Sequence, residues 1–341
     1  MAGLTEAAHV RHSVRVPEDV GAVRRAVSSL CADLRDVREG EAELVATELA
    51  TNLVRHAKDG GYVLIRGVGE GIELLAVDAG PGMSPAGPSS TPAGPARRVP
   101  SGAEGLHVGL ASVQRLAESF DCYTHRSGTV VMARLGVPAT DPRIPWRWGA
   151  VNIPMGGDGP SGDGWAVVPD RRLCALVVDG LGHGPAAAAA ALAALSTFDA
   201  HAGDDPADFA RRAHQAMRST RGGVIGLGVI DPDRDAVRFL GVGNVASQVL
   251  IKRGRSRLIG RDGVLGTEQA PPASHLDTGP WEPGATLVLS SDGVRAQWEL
   301  SDYPGLLHHD PTVIAAVLHR DYGEEGDDAT VLVVRDMRGS S

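Results

Sequence analysis

The chain has 341 residues, with 33 Lys and Arg against 42 Asp and Glu for a formal net charge of −9. That balance excludes a nonspecific grip on nucleic acid or on an anionic membrane surface, both of which need a basic face. The length accommodates roughly two domains of about 150 residues, each large enough to bury its own core. Cys31, Cys122 and Cys174 are far apart and odd in number. They fit small buried hydrophobes in a reducing compartment better than a disulfide framework. The opening MAGLTEAAHVRHSV lacks the apolar core of a signal peptide, and no apolar run approaches the ~20 residues of a membrane span. A cytoplasmic protein is therefore expected.

Along the chain, residues 13–18 read as a short strand with a turn. Val20, Val23, Val27 and Leu30 then recur at helical spacing from Asp19 to about Leu34. A second helix is expected from Glu41 to Ala57, with Leu44, Leu49, Leu53 and Val54 as its buried stripe. Strands follow at Tyr62–Val68 and Ile72–Val77. Residues 84–104, crowded with Pro, Gly, Ser and Ala, suit a lid or insertion rather than a regular element. A helix from Gly109 to Phe120 and a strand at Thr129–Leu135 complete a first domain, 12–136. Pro138, Pro142 and Pro145 mark a linker at 137–148.

In the second domain, 149–337, strands are predicted at Gly164–Val168, Leu173–Val178, Val224–Ile230, Ala236–Val242, Ser247–Lys252, Thr286–Ser290 and Thr330–Arg335. An Ala-rich helix starts at Pro185, where the missing N–H of proline costs nothing. Many short strands with a few helices indicate an α+β sandwich rather than a wound parallel sheet.

Chemistry concentrates in two places. In the second half, SGDG, VVDGLGHG, LVLSSDG and DDATVLVV put Asp163, Asp179, Asp292 and Asp327 at the ends or starts of apolar strands. Clustered aspartates without a Cys or His ligand set point to Mg²⁺ or Mn²⁺, since hard cations prefer oxygen. Two such ions together make a clamp for phosphate chemistry. His183 and Asn244 read as loop and turn residues. A cysteine phosphatase is excluded, because none of the cysteines is followed by Arg at the required offset. No G-x-S-x-G elbow or H-E-x-x-H zinc site is present, and neither lysine lies in a glycine-rich phosphate loop.

In the first half, ELVATELATNLVRHA places Glu48 and Asn52 four residues apart on one helix face. Asn can hold Mg²⁺ there while Glu orients or deprotonates a nucleophile. VDAGPGM after a strand offers Asp78, and GLHVGLASVQRLA opens a helix whose N–H groups can meet phosphate.

Residues 150–337 resemble the SpoIIE/RsbX branch of the PPM (type 2C) metal-dependent serine/threonine phosphatases, through SGDGWAVV, VVDGLGHGPAAAAAA, GVGN, LVLSSDGV and DDATVLVV. The resemblance implies a β-sandwich flanked by helices and two Mn²⁺ or Mg²⁺ ions that activate water for direct attack on phosphoserine or phosphothreonine. Asp179 would bridge both metals with the Gly180 carbonyl as a further ligand, Asp292 and Asp327 (rather than Asp328) would complete one, and Asp163 the other.

Residues 12–136 resemble the GHKL (Bergerat) ATPases, specifically the RsbT-like anti-sigma-factor serine kinases, an α/β sandwich. By that resemblance Asn52 binds Mg²⁺ of Mg-ATP and Glu48 is the general base. Asp78 recognises adenine, with Gly80 and Gly82 shaping its pocket. Gly105 and Gly109 approach the phosphates, and Thr129 supports the adenine end. The chain departs from the family at His107, which stands where a glycine is usual and would narrow the phosphate loop or forbid a positive φ there. The resemblance implies ATP and a phosphorylated STAS-domain protein of anti-anti-sigma or stressosome type as partners, and leaves a homodimer open.

Overall fold

The computed structural model describes residues 4–5, 7–82, 106–138, 144–272 and 275–338. The chain forms two compact units, and neither is one continuous stretch of sequence. One comprises His9–Ala139 with Glu299–Asp321, the other Met1–Ala8, Thr140–Trp298 and Tyr322–Ser341. The excursion Glu299–Asp321 thus groups with the first unit, although it lies within the 149–337 segment.

After a two-residue strand β1 (Leu4–Thr5), which belongs to the second unit, the first unit begins at β2 (Val10–Val14). The first helix, α1 (Pro17–Cys31), starts where its sequence provides for a start. Pro17 fills the first turn, and Asp19 Oδ2 accepts the N–H groups of Arg15 and Val16 at 2.8 and 3.0 Å. The expected strand at 13–18 is therefore shifted toward the N-terminus. Next come α2 (Glu41–His56), β3 (Gly61–Val68), β4 (Gly71–Asp78), α3 (Leu106–Leu116), β5 (Ser119–His125) and β6 (Gly128–Leu135). On α2 the buried residues are Ala42, Val45, Ala46, Leu49, Ala50 and Leu53, whereas Leu44 is 47% exposed. Helix α3 ends at Leu116, and Phe120, expected at a helix terminus, lies in β5.

The five strands run in the order β2-β3-β4-β6-β5, all antiparallel. One sheet face packs on the helices through Val45, Leu49, Leu53, Val63, Leu74, Val113 and Val131. The opposite face carries Leu64, Arg66, Glu73, Leu75, Met132 and Arg134, a set fixed by strand alternation. The excursion bonds to this face. Arg134 Nη1 and Nη2 donate to Asp310 at 3.0 and 3.2 Å, Nη2 also donates to Thr312 Oγ1 at 2.7 Å, and Nε donates to Glu73 at 2.6 Å. Glu73, wholly buried, also accepts from Arg66 Nε at 2.6 Å and pairs with His9. Burial alone would raise its pKa, but the Arg66 and Arg134 guanidiniums and His9 outweigh burial and hold it well below the carboxylate range.

The second unit continues through β7 (Trp146–Ile153), β8 (Asp163–Pro169), β9 (Leu173–Gly180), α4 (Pro185–His201), α5 (Pro206–Met217), β10 (Gly223–Asp231), β11 (Ala236–Val242), β12 (Ala246–Ile251), β13 (Gly254–Leu258), β14 (Leu276–Pro280) and β15 (Thr286–Ser290). Helix α6 (Pro311–Tyr322) follows within the excursion, and β16 (Ala329–Asp336) closes the unit. Strand β7 begins inside the stretch expected to be linker. Two sheets, β1-β8-β9-β10-β11-β14 and β13-β12-β15-β16-β7, enclose a core of Trp146, Trp165, Val177, Phe239, Leu287 and Leu332. The outer face of the first sheet packs through Leu176, Val178 and Leu227 on Ala191, Leu195 and Phe209 of α4 and α5. No described helix is long and apolar enough to cross a membrane.

Candidate active sites

Four carboxylates gather at one end of the sandwich. Asp163 opens β8 and pairs in register with Asp179, the penultimate residue of β9. Both side chains fall on the face shared with Trp165 and Val177, between the two sheets. Asp292 lies two residues beyond β15 and Asp327 two residues before β16, and those strands are antiparallel neighbours, so both meet the same end. Their proximity registers in the acidities. Burial, with Asp163, Asp292 and Asp327 close by, pushes the Asp179 carboxyl up to about 9. Burial likewise pushes Asp163 up to about 7, against an opposing hydrogen bond from Ser291. Asp327 is raised as well, by burial and by Asp292, with the exposed His183 pulling the other way. Asp163 Oδ2 is buried with no hydrogen-bond partner among the described residues.

The adjacent Asp328 differs in kind. Its Oδ1 accepts from Met155 N at 2.7 Å and its Oδ2 from Gly162 N at 2.8 Å, so both oxygens already serve the backbone. Asp327 accepts from Asp328 N through its Oδ1 at 2.9 Å and lies close enough to Asp292 for the two carboxylates to repel each other. Asp328 thus clamps the loops while its charge also bears on Asp163, and Asp327 stands beside Asp292. Asn244 does more than shape a turn, because its Nδ2 donates to Asp292 Oδ2 at 2.7 Å and orients it. Asn152 and Ser161 hold Asp163 from behind: Asn152 Nδ2 donates to the Asp163 carbonyl and Ser161 Oγ to Asn152 Oδ1. Motif reading misses Asn152, which lies eleven residues from Asp163, and passes over Ser161 although it opens the SGDG motif. Gly180 has no room for a side chain, because a Cβ there would be 2.3 Å from the Ala187 carbonyl oxygen. The chemistry of the donor set suits hard divalent cations, being all oxygen, with mutually repelling negative charge and an orphaned buried lone pair. Among the described residues, however, no three such side chains are grouped closely enough to hold an ion as they stand.

In the first unit, Glu48 and Asn52 project half-buried from one face of α2, and Gly109 of α3 faces them. A Cβ on Gly109 would be 2.5 Å from Glu48 Oε2 and 3.8 Å from Asn52 Nδ2. Asn52 Nδ2 is buried without a hydrogen-bond partner among the described residues. Turning the amide over would present Oδ1 at the same place, as a cation ligand requires. Asp78 ends β4 opposite Thr129, and its Oδ1 accepts from Gly80 N at 2.8 Å. Gly82 has φ +74°, and a Cβ there would meet the His125 carbonyl oxygen at 2.3 Å. Thr129 is buried, its hydroxyl 3.3 Å from that of Thr124. Gly105 lies outside the described residues, and of His107 only its place at the start of α3 is described. The buried amide and the side-chain-free approach of α3 fit a magnesium-bound phosphate group.

Residues 15–135 match the family model of the histidine kinase-like ATPase domain, and residues 169–336 match that of stage II sporulation protein E. A solved structure from work on the bacterial stressosome, a modular system adapted to control secondary messenger signaling, is 25% identical. It aligns over 56% of this chain and 99% of its own, with TM-score 0.52. RsbX in complex with magnesium shares the fold at 22% identity and TM-score 0.50, over 56% of this chain and 94% of its own. No curated protein matches the chain. The chain thus joins a histidine kinase-like ATPase domain to a SpoIIE-type domain of the PPM class and is a serine/threonine protein phosphatase.

Proposed function

We propose that this phosphatase is a partner-switching regulator whose substrate is a phosphorylated STAS-domain protein, and that its ATPase domain is a serine or threonine kinase for that protein or a related one. The observation that carries the hydrolytic half is the convergence of Asp163, Asp179, Asp292 and Asp327 from both sheets of the sandwich. In this reading Asp179, with the Gly180 carbonyl as a further ligand, would hold two Mn²⁺ or Mg²⁺ ions together with Asp292 and Asp327 for one and Asp163 for the other. Bound there, the ions would supply Lewis acidity at phosphorus and lower the pKa of water. Asn244 keeps Asp292 aimed into the site, and Asp328 fixes the loops bearing Asp163 and Asp327. The likeness to a stressosome-associated structure supports a STAS-type substrate.

In the kinase half, Asn52 holds the magnesium of Mg-ATP, Glu48 accepts the proton of the target hydroxyl, and Asp78 reads the adenine amino group. Gly80, Gly82 and Thr129 shape the adenine end, and Gly105 and Gly109 admit the phosphates. His107 in the phosphate loop favours a second reading, in which this domain binds nucleotide or a partner without transferring phosphate. A phosphotransfer assay with full-length protein, Mg-ATP and purified STAS proteins separates the two. Labelled serine or threonine that disappears in Asn52→Ala supports the kinase. ATP binding without transfer supports the sensor.

A further inference from the structure

We propose that Arg221 is the residue that grips the substrate's phosphate at the phosphatase site; the proposal rests on the reading of the aspartate cluster as the hydrolytic centre. That cluster holds four carboxylates, and a phosphoserine or phosphothreonine monoester brings up to two more negative charges. Besides any metal, a cation is needed to draw the substrate in and to orient it. Arg221 is placed for that task by the register of β9 and β10. Gly223 pairs with Gly180 and Val224 with Asp179, so the turn entering β10 lies beside the loop leaving Asp179. Leu181 N donates to the Gly222 carbonyl at 3.0 Å, tying the two together.

The turn itself is rigid. Gly222 N donates to Thr220 Oγ1 at 3.1 Å, and Thr220 Oγ1 donates to the Met217 carbonyl at 2.7 Å. Gly223 and Leu265 exchange both backbone hydrogen bonds, at 2.8 and 3.1 Å. Gly222 has φ +79°, and a Cβ there would be 2.4 Å from the Leu265 carbonyl oxygen.

From this mount the Arg221 side chain reaches back over the loop that follows Asp179. A Cβ on Gly182 would be 3.1 Å from Arg221 Nη1. The guanidinium is exposed and makes no hydrogen bond or ion pair among the described residues. An arginine that served only the fold would be expected to pair with one of the many nearby acids. This one stands open over Gly182, three residues along the chain from Asp179, with a planar fork suited to two phosphate oxygens. His183, on the same loop, is the other positively chargeable group beside the cluster.

The test uses the full chain with Mn²⁺ and three probes: p-nitrophenyl phosphate, a phosphoserine peptide and inorganic phosphate. Arg221→Ala should raise KM for both substrates about 10–100-fold, in keeping with the loss of a charge-assisted bidentate contact. It should weaken competitive inhibition by inorganic phosphate by a similar factor. Arg221→Lys should recover part of both, and Mn²⁺ affinity measured by calorimetry should stay within about twofold. Unchanged KM and unchanged phosphate inhibition in a hydrolytically active Arg221→Ala protein would overturn the assignment. Weakened Mn²⁺ binding in both variants would also overturn it, since Arg221 would then be acting on the metal site. A wild-type chain with no Mn²⁺-dependent hydrolysis would instead sink the underlying reading, and this proposal with it.

Discussion

Replacing Arg134 by Met tests whether the excursion Glu299–Asp321 is held on the ATPase sheet by charge. Arg134 makes four polar contacts, one to Glu73, two to Asp310 and one to Thr312, at 2.6 to 3.2 Å. Its side chain is 15% exposed, that of Asp310 21% and that of Glu73 0%. Methionine fills much of the volume, so the loss is electrostatic rather than a cavity. Glu73 keeps Arg66 and His9 and stays paired. Asp310 loses its partner and retains only its local backbone contacts, including Thr312 N at 2.9 Å. Breaking a fully buried pair costs about 3–5 kcal/mol. The residual solvent access and the surviving partners of Glu73 reduce this to roughly 2–4 kcal/mol. At 2–4 °C per kcal/mol for a unit of this size, the transition of the first unit should fall by roughly 5–15 °C. Hydrogen exchange should quicken in peptides spanning 303–320. The Arg134→Met/Asp310→Asn double variant should lose less than the sum of the single changes, because the two side chains share one interaction. Full additivity, or a loss below about 0.5 kcal/mol with unchanged exchange, would refute the electrostatic latch.

Three further outcomes follow from the same geometry. Gly109→Ala puts a Cβ 2.5 Å from Glu48 Oε2, so ATP affinity by calorimetry should fall at least tenfold while the fold survives; unchanged affinity would separate Gly109 from the nucleotide site. Asp328→Ala removes the acceptor of Met155 N and Gly162 N; it should cost about 2–3 kcal/mol in denaturant unfolding and weaken Mn²⁺ binding, and a neutral result would contradict the clamp. Without metal, the native chain keeps protons on Asp179 and Asp163, whose pKa values stand near 9 and 7 against 3.8 when unfolded. The native state then binds more protons, and stability must fall as pH rises. Each group contributes up to ~1.4 kcal/mol per pH unit between about 4 and its folded value. In EDTA, melting temperature should drop from pH 5 to 8, less steeply in Asp179→Asn and less steeply with saturating Mn²⁺. A rise over that range, attributable to Asp179 by the variant, would contradict the cluster.

The sequence announces the long amphipathic helices, the strand-then-Asp signals and the GHKL motifs because each is local. What it hides is longer in range. Helix α6 has buried residues at every position from Pro311 to His319, so it carries no one-sided stripe to mark it as a helix. Its membership in the first unit depends on Arg134 and Asp310, 176 residues apart. Strand β5 follows directly on a helical pattern, and β7 begins beside prolines that suggest a linker. Helix α5 escapes the sequence reading although its start signals are local: Asp205 accepts from Ala207 N at 2.9 Å, with Pro206 at the first turn. The aspartates stand out in the sequence beside their strands, whereas Asn152 and Arg221 acquire meaning only when β7 and the turn entering β10 bring them to the same end.

The most direct test is Mn²⁺-dependent release of phosphate from a phosphoserine STAS protein by the full chain, beside Asp179→Ala. Hydrolysis that needs Mn²⁺ and is abolished in Asp179→Ala is the predicted result. Hydrolysis that persists at the wild-type rate in folded Asp179→Ala would contradict the assignment of the aspartate cluster.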